Sequence, residues 1–323
     1  MDVAVMVCGF CRPDTLEKVV DSLRVVKPSR LYLVLDAPRV GNQNDARGVA
    51  ACKQIFEQKI DWPCDIKKNY AETNMGCGAR MTSGISWVFE QEERAIILED
   101  DCVPHPSFFR FCEELLERYK DDSRVGMIGA ECEHFRKSKM SFHGDSYYFD
   151  RMTTIGAGWA TWRRAWILHD PSLKYVDRMI KTDVMRNVLP HRSYVKKWAS
   201  NVRRIRDGLQ RTWAGAWATT IYRENMLVIH SVVNPVVNIG QGVSSRSGAD
   251  GDVFLSPAEL NKIAEEIHFP LQHPVSMIPN IECERFFLED MLYMSIWRKV
   301  IQNPRLAIKR AWGRMMKKRE HKC

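Results

Sequence analysis

Over the first 130 residues, short apolar runs alternate with amphipathic stretches, and each run ends at a polar, acidic or glycine residue. Val3 to Cys8, Leu31 to Leu35, Ala95 to Leu98 and Val125 to Ile128 are continuous and only four to six residues long, which reads as strands buried on both sides. A weaker strand fits Cys64 to Asn69. Between these runs the apolar spacing changes to that of helices. Pro13 to Leu23 places Leu16, Val19, Val20 and Leu23 on one face, and Val49 to Gln58 follows the second strand. Arg80 to Phe89 aligns Met81, Ile85, Val88 and Phe89, and a helix starting at Ser107 carries the stripe Phe108, Phe111, Cys112, Leu115 and Tyr119. Pro13 suits a first helical turn, and Asp14 followed by Glu17 resembles a capping arrangement. Gly41 to Asp45 and Asn74 to Gly78 read as a loop and a turn. Strands alternating with helices predict an α/β fold, a mostly parallel sheet flanked by helices on both faces. Such sheets bind ligands at the carboxyl ends of their strands, where Asp36 and Glu99-Asp100-Asp101 fall.

The remaining chain differs in character. From Gly129 to Val243 it is aromatic and basic, with Trp159, Trp162, Trp166, Trp198, Trp213 and Trp217. Beyond Gly248 it reads as peripheral, with helical pieces near Pro257 to Glu266 and Glu289 to Ile301. The ten cysteines lack zinc-ligand spacing and are scattered through strands and helices, so buried reduced thiols are expected. The opening residues show no basic leader or cleavage site, which predicts no secretion. No apolar stretch reaches the roughly 20 residues a spanning helix needs.

Three adjacent carboxylates after an apolar strand repel one another, and a divalent cation offsets that repulsion. Hard oxygen ligands on a short turn suit Mn²⁺ or Mg²⁺, completed by phosphate oxygens and water; a solvated acidic loop is the alternative. The runs VMVCGFCRPDTLEKVVDSL, NMGCGARMTSGISWVFE and RAIILEDDCVPHPSFFRFCEELLERYKDD resemble nucleotide-sugar glycosyltransferases of the GT-A fold, in particular bacterial sugar transferases akin to the alpha-1,3-mannosyl-glycoprotein N-acetylglucosaminyltransferase type. The resemblance covers residues 3–130 well and 150–245 loosely. It implies a GT-A-like, Rossmann-type sheet with a C-terminal helical extension. Residues 1–128 would then be the donor half, 129–247 the acceptor half and 248–323 a basic helical extension. By the same resemblance Asp101 is the metal ligand, with His230 as a second ligand from the C-terminal half, while Glu99 and Asp100 face the donor. Gly9, Phe10, Arg12 and Asp36 would wall the nucleoside, and Asn74, Gly76 and Arg80 would precede and open the donor-lining helix.

The segment IGAGWATWRRAW offers Gly158 and Trp159 as a loop beside the acceptor, or as part of a tryptophan-rich core. TWAGAWATTIYRENMLVIHSVVNPVVNIGQG resembles the acceptor-side signature of the family, with Trp213 and Trp217. There the chain departs from the pattern. The family's candidate base is an acidic residue beside the first tryptophan, and Ala214 follows Trp213 while Arg211 stands two before it. Asp207, Glu224, Glu131 and Glu133 are substitutes for the base that an inverting transfer requires.

The net charge of +8 is concentrated toward the end, in IWRKVIQNPRLAIKRAWGRMMKKREHKC. Ala311, Trp312 and Met315 share a helical face opposite Arg310, Arg314 and Lys317, an interfacial pattern for an anionic membrane or a solvated end. No nucleic-acid module accompanies it. The expectation is thus a cytoplasmic, metal-dependent glycosyltransferase, peripheral at the inner face of the plasma membrane. It would use a nucleotide-sugar donor and a glycan or lipid-linked acceptor in surface polysaccharide synthesis. A nucleotidyltransferase and a non-catalytic sugar-nucleotide-binding scaffold are the alternatives. The first usually carries a Gly-rich phosphate loop at its first strand, and VCGFCRPD is not one.

Overall fold

The computed structural model of the chain describes residues 1–130, 142, 144–153, 158–189, 191–240 and 263–288. Its strands are β1 (Ala4–Gly9), β2 (Arg30–Leu35), β3 (Asp65–Tyr70), β4 (Arg94–Glu99), β5 (Cys102–Pro104), β6 (Val125–Gly129), β7 (Tyr147–Asp150), β8 (Trp159–Trp162), β9 (Leu227–Ser231) and β10 (Val236–Asn238). The helices are α1 (Pro13–Val26), α2 (Gln43–Lys59), α3 (Cys77–Phe89), α4 (Pro106–Arg118), α5 (Arg163–Trp166), α6 (Val176–Lys181), α7 (Arg192–Arg206) and α8 (Ala214–Arg223), and residues 281–288 are helical as well. Eight strands form one sheet in the order β3-β2-β1-β4-β8-β6-β9-β7, and β10 pairs with β5 in a small second sheet.

The expected α/β layout is observed. β3, β2, β1 and β4 are mutually parallel, as are β6 and β9, while β8 runs antiparallel between β4 and β6 and β7 runs antiparallel at one edge. Alternate residues of β1, β2 and β4 enter opposite cores. Val5, Val7, Leu33, Ile96 and Leu98 pack under α1, α2 and α4, whereas Met6, Tyr32, Val34 and Ile97 pack under α3, α5 and α8. Burial on both faces explains why these strands read as unbroken apolar runs. A third cluster joins α6, α7 and one face of α8 to residues 283–288.

Several expectations shift. The Asn-rich stretch is the start of α2: the Asn42 side chain accepts from the Asn44 and Asp45 N–H groups, so a residue composition typical of loops here serves as a cap. Pro13 does open α1, but Arg12 occupies its N-cap without a side-chain cap bond, and Glu17 pairs with Lys59 instead of closing a capping box. Trp159 to Trp162 is no loop. As β8 it fills the centre of the sheet between β4 and β6, so strands from both sides of residue 128 share one sheet. Residues 263–266 are not helical, and the expected helices over 289–301 and 308–317, Glu131 and Glu133 lie outside the described residues. The described cysteines are free thiols, and no helix among the described residues is long and apolar enough to cross a membrane.

Candidate functional site

β2, β1 and β4 are adjacent and parallel, so their carboxyl ends bring Asp36, Gly9 to Arg12 and Glu99 to Asp101 to one rim of the sheet. Gly9 lies opposite Leu35 on β2, and Cys8 opposite Glu99 on β4. A Cβ at Gly9 would stand 3.2 Å from Asp100 Cβ, so the β1 turn passes directly over the acidic triplet. That closeness lets Phe10 donate its N–H to Asp100 Oδ2 at 3.1 Å. Arg12 then bridges two carboxylates: Nη2 pairs with Asp100 Oδ1 and Nη1 with Asp101 Oδ2 at 2.7 Å.

Asp101 is held from the far side by the second sheet. Asn238 on β10 donates Nδ2 to Asp101 Oδ1 at 3.3 Å, and the Ile239 N–H donates to the Asp101 carbonyl at 2.8 Å. Gly240 closes over the ion pair so tightly that a Cβ there would overlap Asp101 Oδ2 and come within 2.6 Å of Arg12 Nη1. Asn238 and Gly240 were not singled out from sequence. No local pattern marks them, because their role arises only when β10 pairs with β5.

Asp100 and Asp101 are 2% and 7% exposed, so two carboxylates share one guanidinium in a poorly hydrated place, with half-buried Glu99 beside them. Burial, then the neighbouring Asp101 and Asp100 charges, pushes Glu99 up to about 8. Burial likewise raises Asp100, opposed by Arg12. Burial works against the Arg12 charge, yet Asp100 and Asp101 raise its pKa above the ordinary value. The rim is therefore short of positive charge. Among the described residues no three His, Cys, Asp or Glu side chains converge into a metal cage. A Mg²⁺- or Mn²⁺-type ion would need only one or two protein carboxylates, its shell being completed by phosphate and water. Asp101 is the residue that would hold it, once its oxygen now bound by Arg12 is released.

Other expected donor residues act as scaffolding. Asp36 is 5% exposed, and its two oxygens accept four hydrogen bonds, from Ala37 N at 2.9 Å, Met75 N at 2.9 Å, Gly76 N at 2.8 Å and Asn74 Nδ2 at 3.2 Å. A carboxylate has about four lone-pair positions, so none is left for a nucleoside. Asn74 also spends its amide on the Ala37 carbonyl, at 2.7 Å. Arg80 is buried and staples strand ends: Nε donates to the Leu35 carbonyl at 3.2 Å, and Nη2 donates to the Asn69 carbonyl and to Asn69 Oδ1. These three residues shape the turn that leads into α3 and do not reach outward to a diphosphate.

The aromatic residues proposed for the acceptor form core. Trp159 and Trp213 stack at 5.3 Å between centroids, and Trp217 lies 5.8 Å from Trp159 and 5.1 Å from Trp166. Their faces cover one another, and Trp217 is fully buried. Gly158 is required by packing as well: its φ is +92°, and a Cβ would come within 2.9 Å of Leu98 Cδ2. His230 does not join Asp101. It lies on β9, three strands from β4, about 14 Å away at the usual strand spacing. Its Nε2 faces Asp150 Oδ1 at 3.0 Å and the Met152 carbonyl at 2.9 Å, so that nitrogen is a donor with no lone pair for a metal.

Neither of the two candidate bases among the described residues is brought to the triplet. Glu224 caps the far end of α8, about 15 Å along the helix from Ala214, and its Oε1 accepts from Arg223. Asp207 caps α7, half exposed beside Arg206 Nε at 3.1 Å. The segment after it does approach the rim, since a Cβ at Gly78 on α3 would stand 3.3 Å from the Thr212 backbone.

No family model matches the chain, and no curated protein matches it. Three solved structures follow parts of its path. One is the 4-diphosphocytidyl-2C-methyl-D-erythritol synthase of Anaerococcus prevotii, 12% identical over 52% of this chain and 74% of that one, with a TM-score of 0.32. A UDP-glucose pyrophosphorylase complexed with UDP-glucose is 9% identical over 72% and 91%, at 0.35. The mannose-1-phosphate geranyltransferase of Thermus thermophilus is 12% identical over 75% and 77%, at 0.36. At that level of likeness, function has to be argued from the residues of the rim itself.

Proposed function

We propose that this chain is a glycosyltransferase that binds a nucleotide-diphosphate sugar at the rim formed by β1 and β4, with a divalent cation between the acidic triplet and the diphosphate. The observation that carries the reading is the gathering of three carboxyl groups, buried Asp100 and Asp101 with half-buried Glu99, against the single Arg12 at the carboxyl ends of adjacent parallel strands. A cation there neutralises the charge that develops on the departing diphosphate. The chain's own residues supply the rest. Phe10 and Arg12 hold Asp100, Asn238 orients Asp101, and Asp36 fixes the turn before α3. Glu99, half-buried and the first of the three acids, faces the donor in this reading.

The acceptor in this reading is anionic. α7 carries Arg192, Lys196, Lys197, Arg203, Arg204 and Arg206 and no acidic residue. With α6 it walls a groove of about 470 Å³ whose lining includes Arg192, Lys196, Ser200, Arg203 and Arg204. Asp183 and Asp207 also line the groove, so the cationic side chains of α7 dominate it without being its only charges. A phosphate- or carboxylate-bearing glycan or lipid carrier suits such a surface.

A thermal-shift series with UDP-, GDP- and dTDP-sugars, with and without Mn²⁺, tests the donor. Stabilisation by one nucleotide series that needs Mn²⁺ and is lost in Asp101→Asn is the expected result. Product analysis then separates activities: release of nucleoside diphosphate marks sugar transfer, pyrophosphate release marks a nucleotidyltransferase, and binding without turnover marks a scaffold.

A further inference from the structure

Arg12 occupies the place a cation has to take. Its guanidinium contacts Asp101 Oδ2 at 2.7 Å and also binds Asp100 Oδ1. The other oxygens are committed too: Asp100 Oδ2 accepts from Phe10 N, while Asp101 Oδ1 accepts from Asn238 Nδ2 at 3.3 Å and Cys102 Sγ at 3.5 Å. Gly240 packs onto the Arg12 and Asp101 pair from above. A hydrated divalent ion and the guanidinium therefore cannot use Asp101 Oδ2 together.

Arg12 is also the member of this group best placed to move. Its side chain is 25% exposed, against 3% for Asp100 and 9% for Asp101. It lies just after the β1 turn at the N-cap of α1, next to where a diphosphate would lie. A guanidinium matches phosphate oxygens as well as carboxylate oxygens, so a diphosphate offers it an equivalent partner.

We propose that Arg12 is an exchangeable counter-ion that blocks the cation site in the free protein and moves to the diphosphate when the nucleotide arrives, so that cation and nucleotide bind tightly only together. This rests on the reading above that the rim takes a nucleotide diphosphate. The exchange is a non-covalent competition between a monovalent and a divalent cation for one carboxylate oxygen. It makes metal and nucleotide affinities rise together by linkage, each raising the other by the same factor.

The test titrates the full-length protein with Mn²⁺ alone, read by electron paramagnetic resonance of free Mn²⁺, for the wild type, Arg12→Gln and Arg12→Lys. Removing the fixed charge is expected to tighten Mn²⁺ binding by about tenfold or more, because the like-charge competitor is gone. Arg12→Lys, a point charge unable to bridge both carboxylates, is expected to fall between. Calorimetry with UDP and GDP should show the opposite trend, with nucleotide binding weakened in Arg12→Gln. Mn²⁺ affinity that is unchanged or lower in Arg12→Gln would overturn the exchange. If that variant does not fold, the wild type decides: saturating nucleotide should raise its Mn²⁺ affinity, and equal affinity with and without nucleotide overturns the proposal. Failure of every nucleotide to bind would sink the functional reading separately, since the Mn²⁺ titration of the variants uses none.

Discussion

Asp36→Ala tests how the rim is built. The substitution removes the acceptor for three backbone N–H groups and one side-chain amide. Hydrogen bonds to a charged group contribute about 1.5–3 kcal/mol each, but a donor that water can reach loses much less. Met75 is exposed and Gly76 half-buried, so water replaces part of those two bonds. The Ala37 N–H has no such access, since Ala37 is 3% exposed. Counting the buried donor in full and the others in part gives a loss of about 3–4 kcal/mol, or about 4–6 °C in melting temperature for a chain of this size. Scanning fluorimetry reads the shift, and limited proteolysis should show a new cut near residues 74–76. Asp36→Asn should recover only part of the loss, because its amide NH₂ then faces N–H donors. A Tm for Asp36→Ala within about 2 °C of wild type would refute the scaffolding role of this carboxylate.

Three further outcomes are expected. Trp217→Ala should cost about 3–5 kcal/mol in denaturant unfolding, as for other large core aromatics, and a well-folded variant with only weakened acceptor binding would contradict the core assignment. Gly240→Ala forces a Cβ onto Asp101 Oδ2, the oxygen that the cation would take, so nucleotide affinity measured by calorimetry with Mn²⁺ should fall; unchanged affinity would mean that this oxygen is not part of the site. Glu99, pushed up to about 8 from the ordinary 4.5, favours its protonated form in the folded state. Its contribution to stability is therefore full below about 4.5 and is lost as pH rises toward 8, so the melting temperature without divalent cation should decline across that window. Glu99→Gln should flatten the decline, and identical slopes in both proteins would rule out this origin.

The strands and helices of the first half were legible because burial on both faces leaves a local mark. Continuous apolar runs such as Ala95 to Leu98 and helical stripes such as Phe108, Phe111, Cys112 and Leu115 reappear as β4 and α4 within a few residues. The acidic triplet was legible for the same reason, since a strand end followed by three acids is visible without any contact. The segment around Trp159 reads in sequence either as a loop or as tryptophan-rich core, because a glycine-rich, aromatic stretch carries no period that separates the two; the fold takes the second, as central strand β8.

Sequence alone thus determined an α/β sheet and the edge at which its acids gather, because both follow from the spacing of neighbouring residues. Tertiary structure decided which groups those acids meet. Arg12 reaches Asp101 across 89 residues and Asn238 reaches it across 137, separations over which no sequence period persists. It also decided that Asp36 and Arg80 are anchors and that the tryptophans are core. A side chain with several possible partners commits only when the folded chain fixes which donors, acceptors and ring faces lie within reach.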